Sequence, residues 1–174
     1  KLFSKNLSRY YSENENVKVN IINNDVEEML KKLENQELDI VLTKKCLSYK
    51  NETIEFIKLG ALQDILVVNN NSELLKKSIT EEELKEQTIY MPRKTSITTV
   101  NFFDSINIDY NEFKNIKNVS YNTMLEIIKA TKGIGLMTKE YIENELKRDE
   151  ITKLQTTFEI NPIEYGIYKQ RKQI

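Results

Sequence analysis

Hydroxyl and amide side chains stand at three places where a predicted strand ends. Thr43 and Lys44 follow one strand, Thr95 and Ser96 follow a second, and Ser120, Tyr121 and Asn122 follow a third. In an open α/β sheet, ligands bind beyond the carboxyl ends of strands, where helix N-termini attract anions through free N–H groups. The pattern therefore predicts a site for a polar or anionic small molecule. The alternative is that Ser, Thr and Asn here are only helix N-caps.

Two cations lie next to the second of these places. Arg93 and Lys94 immediately precede Thr95 and Ser96. They could pair with an anionic ligand, or they could be solvated surface charges. The sequence leaves both alternatives open.

Catalytic and metal-binding residues do not stand out. The chain has no histidine and a single cysteine, Cys46, so Ser-His and Cys-His catalysis, His-ligated zinc and an internal disulfide are excluded. Its 27 acidic residues include no pair marked for acid–base work. We therefore expect a binding protein that is not an enzyme and uses no metal or cofactor.

The elements that would position these residues are clearest over residues 17–43. Val17, Val19 and Ile21 alternate with polar residues, which predicts a strand. Residues 26–33 carry apolar side chains at helical spacing, and the apolar run 38–42 is typical of a strand buried on both faces. A strand, a helix and a strand in this order predict a parallel pair with a right-handed crossover.

The rest of the chain continues the alternation. Helices are predicted over 1–11, 80–86, 95–105, 123–131 and 138–148, and strands over 52–59, 64–69, 88–91, 116–120, 133–137, 151–154 and 162–169. This indicates an α/β fold. The asparagines at 69–71 and the segment 158–162 are the candidate crossovers, which predicts one lobe from 1–68 plus 158–174 and a second lobe from 69–157.

Composition limits the partners of this segment. The chain has 174 residues, a net charge of −1 and a pI near 5.8, which gives no basic footprint for nucleic acid. No apolar run approaches the ~20 residues of a membrane span. We therefore expect neither DNA nor membrane binding by this segment.

Several stretches together resemble the effector-binding domain of LysR-type transcriptional regulators. They are NVKVNI at 16–21, LENQELDIVL at 33–42, ITEEELKEQTIY at 79–90 and LEIIKATKGIGLMTKEYIENEL at 125–146. The resemblance implies a two-lobed, periplasmic-binding-protein-like fold with a small mixed sheet in each lobe. It also implies a cytoplasmic sensor whose effector lies between the lobes.

The resemblance carries further expectations about assembly. The family's first strand would precede Lys1 and its terminal helix would follow Ile174. DNA would be bound only through a helix-turn-helix domain outside this segment. The protein would be a homodimer or a higher oligomer, paired through residues 1–11 and 17–24. The alternative with the same geometry is an extracytoplasmic solute-binding subunit of a transporter.

Overall fold

The structure, a computed structural model, describes residues 4–171. It has six α-helices in that part of the chain, which are α1 Ser4–Glu13, α2 Val26–Glu34, α3 Glu81–Lys85, α4 Ile97–Ile106, α5 Tyr121–Ala130 and α6 Glu143–Lys147. Its strands are β1 Ile40–Lys44, β2 Ile54–Leu62, β3 Asp64–Asn69, β4 Thr88–Met91, β5 Asn115–Asn118, β6 Ile134–Thr138, β7 Ile151–Lys153 and β8 Ile163–Gln170. None of the helices described is long and apolar enough to cross a membrane.

The first lobe is built on a three-stranded sheet of order β1-β8-β2. Both pairings are antiparallel, so this sheet is not mixed as expected. Helix α2 covers one face with Leu30 and Leu33, which are buried against Val41, Ile54 and Tyr168. The predicted α2 is confirmed, since its apolar stripe faces the sheet.

The strand predicted at 17–21 is wrong, and so is the parallel pair that depended on it. Residues 17–25 are irregular, and β1 pairs only with β8 among the described strands. Strand pairing needs a neighbouring strand to accept its backbone hydrogen bonds, and none lies beside this segment in residues 4–171. Its apolar side chains are consequently exposed, with Ile21 60% accessible.

The prediction that the strand at 38–42 is buried on both faces is also wrong. Val41 is buried against α2, whereas Ile40 and Leu42 point to the other face and are exposed. An antiparallel sheet covered on one side buries alternate residues only. The apolar run therefore has the composition of a strand in the core of a parallel sheet, but it lies in a sheet that is covered on one side only.

The second lobe is built on a five-stranded mixed sheet of order β5-β4-β6-β3-β7. Strand β4 pairs in parallel with β5 and β6, whereas β3 runs antiparallel to β6 and β7. Strands β3 and β6 are buried along almost their whole length. Helices pack on both faces, with Phe102 of α4 in one core cluster and Met124 and Ile128 of α5 in the other.

The chain passes between the lobes twice. Strand β2 ends at Leu62 in the first sheet, and β3 begins at Asp64 in the second, so the first passage is at Gln63. The predicted boundary after Val68 divided β3 from its own sheet and is corrected to this point. The asparagines at 69–71 mark a turn within the second lobe instead. The chain returns between Thr157, which donates to Ile79, and the start of β8.

Candidate functional site

A cleft of about 1000 Å³ lies between the two sheets. Its lining comes from the end of β1 and the start of α2 in the first lobe, and from α4, β6 and the start of α5 in the second. The carboxyl ends of β1, β4 and β6 all open toward this space, which is where ligands bind in open α/β sheets.

Lys44, the last residue of β1, spans the cleft. Its Nζ donates to Asp64 Oδ1 at 2.8 Å and Oδ2 at 3.0 Å, to Thr98 Oγ1 at 2.7 Å and to Thr138 Oγ1 at 2.9 Å. The side chains of Lys44 and Asp64 are 10% and 0% exposed. Burial lowers the pKa of Lys44, and the Asp64 carboxylate opposes that shift. The pair is thus an enclosed ionic contact between a first-lobe cation and second-lobe oxygens.

Two tyrosines form one wall of the cleft. Tyr121 opens α5, and its ring meets that of Tyr141 edge-on, with centroids 5.9 Å apart. The Tyr121 hydroxyl is buried without a hydrogen-bond partner in the described structure. Burial raises the pKa of both phenols, so both keep their protons at neutral pH. The Tyr121 O–H is therefore a buried donor without an acceptor among the described residues, on a side chain that lines the cleft.

A second ionic contact joins the lobes at the mouth of the cleft. Arg93 donates Nη1 to Asp25 Oδ2 at 2.6 Å and Nη2 to Asp25 Oδ1 at 2.5 Å. Both side chains are more than half exposed, at 61% and 54%. Exposed pairs contribute little to stability because water screens them. This contact can therefore open at small cost.

The sequence and the fold agree with one protein family. A family model described as the LysR substrate binding domain matches residues 1–173. The chain belongs to this family.

Solved structures with the same fold include regulatory domains of LysR-type proteins. The reduced regulatory domain of OxyR2 from Vibrio vulnificus has a TM-score of 0.80 and 13% identity, covering 99% of this chain and 81% of its own. The regulatory domain of CcmR from Synechocystis PCC6803 in complex with 2-PG has a TM-score of 0.81 and 15% identity, covering 99% and 83%.

A further neighbour is the effector-binding domain of QuiR in complex with shikimate, with a TM-score of 0.74, 15% identity and coverage of 98% and 81%. No curated protein sequence matches the chain significantly. The α/β, two-lobed, periplasmic-binding-protein-like fold expected from the sequence is confirmed by these structures.

In this LysR substrate-binding domain, four of the predicted site residues line the cleft. They are Thr43, Thr95, Ser96 and Tyr121. Ser96 is also the N-cap of α4, since its Oγ accepts from the Thr99 N–H at 3.1 Å. The first N–H groups of α4, at Ile97 and Thr98, have no acceptor within the helix. Both residues line the cleft beside Thr95.

The other two predicted residues lie away from the lining. Ser120 caps α5 by accepting from the Thr123 N–H at 3.3 Å, and its side chain is exposed. Asn122 is exposed on the first turn of α5. Helix α5 turns Tyr121 toward the cleft, and residues one position apart on a helix point in different directions. Ser120 and Asn122 therefore fall outside the lining.

The two adjacent cations also separate. Arg93 lines the cleft but is bound to Asp25, whereas the Lys94 ammonium lies 4.7 Å from the centre of the Tyr110 ring and is not part of the lining. Of the described residues that line the cleft, the cations are Lys44, Lys45 and Arg93. Each of the three is paired with a carboxylate.

Sequence reasoning pointed to the loop of Thr43 and Lys44 but missed the partners of Lys44 and one wall of the cleft. The missed residues are Asp64, Thr98, Thr138 and Tyr141. One signal was present, because a charged residue begins the otherwise apolar strand 64–68 and another ends the strand at 40–44. A charge at the end of a buried strand needs a partner, but the partner is distant in sequence and lies in the other lobe.

Proposed function

We propose that this domain senses a small-molecule effector, which binds in the cleft between the lobes. The observation that carries the proposal is the cleft itself. It has a volume of about 1000 Å³, and its lining combines hydroxyl groups from both lobes with the N-terminus of α4. Pockets of this size suit small organic ligands. Family membership favours a regulator over the transporter subunit with the same geometry.

Thr43, Thr95, Ser96 and Tyr121 are the proposed effector contacts. Thr95 and the N–H groups of α4 would hold a carboxylate, phosphate or hydroxyl group, and Tyr121, whose buried O–H has no acceptor among the described residues, would donate to the same ligand. An anion would be held mainly by these N–H and O–H groups, because the three cations of the lining already have partners. The neighbours bound to 2-PG and shikimate carry ligands of this kind.

The effector would act by changing the equilibrium between lobe arrangements. A ligand that contacts both lobes stabilises the arrangement in which both sets of contacts can form. In the full-length protein this would alter how attached helix-turn-helix domains present themselves to DNA in the cytoplasm. The domain itself would catalyse no reaction.

Binding can be tested by calorimetric titration with effectors found in a melting-temperature screen of small organic acids, phosphates and hydroxylated metabolites. Thr95→Val and Tyr121→Phe should each weaken binding roughly 5- to 150-fold, because a lost ligand hydrogen bond costs about 1–3 kcal/mol. Asn122→Ala, which lies beside Tyr121 but outside the cleft, is the control and should bind normally.

Two results would contradict the proposal. The first is a screen in which no compound raises the melting temperature at millimolar concentration. The second is an effector whose affinity changes with Asn122→Ala and not with either cleft variant, which would move the site elsewhere.

A further inference from the structure

The contacts of Lys44 use every proton that its ammonium can donate. The ammonium has three N–H donors, and four oxygens of Asp64, Thr98 and Thr138 lie within 3.0 Å of Nζ. No donor is left for an effector. Lys44 lies in the ligand cleft, but its ammonium is already fully hydrogen-bonded to other residues of the protein.

The three residues that supply these four oxygens belong to the second lobe and are positioned by elements of that lobe. Asp64 of β3 lies opposite Thr138 of β6 in the sheet register, and the Thr138 hydroxyl donates to Asp64 Oδ1 at 2.6 Å. Thr98 lies in the first turn of α4, which packs on the same lobe. The arrangement is thus a carboxylate and two hydroxyls at the edge of a rigid sheet, with room for one cation.

Burial distinguishes this contact from the other ion pair between the lobes. Two described ion pairs cross between the lobes, Lys44–Asp64 and Arg93–Asp25, and the second is exposed. Separating the lobes would break four part-buried hydrogen bonds to Lys44, whereas the exposed Arg93–Asp25 contact is screened by water. The Lys44 contact is therefore the better placed of the two to hold the lobes at one separation.

We propose that Asp64, Thr98 and Thr138 form a socket for a primary ammonium group on the second lobe, and that Lys44 of the first lobe sets the closure of the cleft by filling it. Lys44 is in this sense a positioning residue, which fixes the distance between the walls that hold the effector. The inference concerns the free protein and does not depend on which effector binds.

The socket can be tested by chemical rescue. Lys44→Ala removes three carbons and the ammonium, which propylammonium replaces. At constant ionic strength, propylamine should raise the melting temperature of Lys44→Ala in a saturable way by several degrees, since a ligand stabilises the fold it binds. 1-Propanol, which has the same length and no charge, should have no such effect.

Matched variants distinguish binding of propylammonium in the socket from general stabilisation by amines. Lys45→Ala removes the neighbouring cation, which pairs with Glu164 inside the first lobe, and propylamine should not rescue it. Propylamine should also leave Lys44→Ala combined with Thr98→Val much less stabilised than Lys44→Ala alone. Equal shifts in all of these proteins would overturn the socket.

The role in closure needs a distance measurement. Nitroxide labels at Glu52 and Lys132, exposed in the first and second lobes, in a Cys46→Ser background would report the lobe separation by double electron–electron resonance. Lys44→Ala should broaden or lengthen the distance distribution, and propylamine should restore it. An unchanged distribution in Lys44→Ala would overturn the role in closure, even if the amine binds.

Thr98→Val keeps the experiment decisive if Lys44→Ala does not fold, because it removes one acceptor and leaves the ion pair. It should broaden the distribution, whereas Thr123→Val, exposed on the first turn of α5 and outside the cleft lining, should not. All of these measurements are made without effector, so their failure would leave the proposed sensing function standing.

Discussion

Single residues in this domain combine capping with ligand contact, and Ser96 and Ser120 allow the two roles to be separated. Both are N-caps of ten-residue helices and both accept from the N–H three residues later. Only Ser96 lines the cleft. The two serines are therefore a natural matched pair.

We expect Ser96→Ala and Ser120→Ala each to lower the free energy of unfolding by about 1 kcal/mol, the usual cost of a lost cap. Only Ser96→Ala should also weaken effector binding, by several-fold. Urea unfolding and calorimetric titration of both variants check this. Loss of affinity in Ser120→Ala alone would instead place Ser120 in the site, as the sequence predicts.

At the scale of elements, α1 and the irregular segment after it carry large apolar side chains that are exposed. Tyr10 and Tyr11 are exposed on α1, and Ile21 and Ile22 are exposed beyond it. Apolar groups grouped in this way on a surface mark interaction sites. The resemblance to LysR-type regulators implied pairing of residues 1–11 and 17–24 with the same elements of a second copy, and the exposed side chains support that proposal.

We therefore expect a homodimer in which these elements meet across a two-fold axis, where each contact occurs twice. Ile21→Asp should weaken the dimer roughly tenfold or more, because it places a charge among apolar side chains that the proposed interface would bury. Leu59→Asp, at an exposed apolar position on β2, is the control and should leave assembly unchanged. Light scattering over a concentration series measures both. A monomer at high concentration in the unmodified chain would contradict the proposal.

At the scale of the whole molecule, burial of phenols makes stability depend on alkaline pH. Burial raises the pKa of Tyr121 and Tyr141 in the second lobe and of Tyr168 in the first. A phenol whose pKa is higher in the folded state than its unfolded value of about 10 stabilises the fold below that value. Its contribution is lost as pH rises through the folded pKa.

The free energy of unfolding should therefore decrease above about pH 10. Tyr121→Phe and Tyr168→Phe should each make this decrease with pH less steep, whereas Tyr11→Phe on α1 should not. The lowered pKa of Lys44 makes stability increase as pH rises. The change of melting temperature with pH in each variant is therefore compared with the change in the unmodified protein. Melting temperatures from pH 8 to pH 11 and tyrosinate absorbance provide the measurement. Parallel slopes in all four proteins would show that the buried phenols do not govern the alkaline limit.

The sequence by itself determined the elements whose signals are local. The capping box of Thr80 and Glu83, the apolar stripe of α2 and the apolar run of β3 each lie within a few residues, and all three elements are present. The family also followed from such stretches, since their order along the chain is a property of the sequence. Thr95, Ser96 and Tyr121 could be placed at the cleft because the ends of parallel strands share one edge.

Only the tertiary structure decided how the elements meet. The pattern of residues 17–21 indicated a strand, but a strand requires a partner, and the pattern does not show whether one is present. The side to which α5 turns placed Tyr121 in the cleft and Ser120 outside it. The contact of Lys44 with Asp64, Thr98 and Thr138 joins residues 20, 54 and 94 positions apart. No local pattern encodes such a contact, because it depends on how one lobe closes against the other.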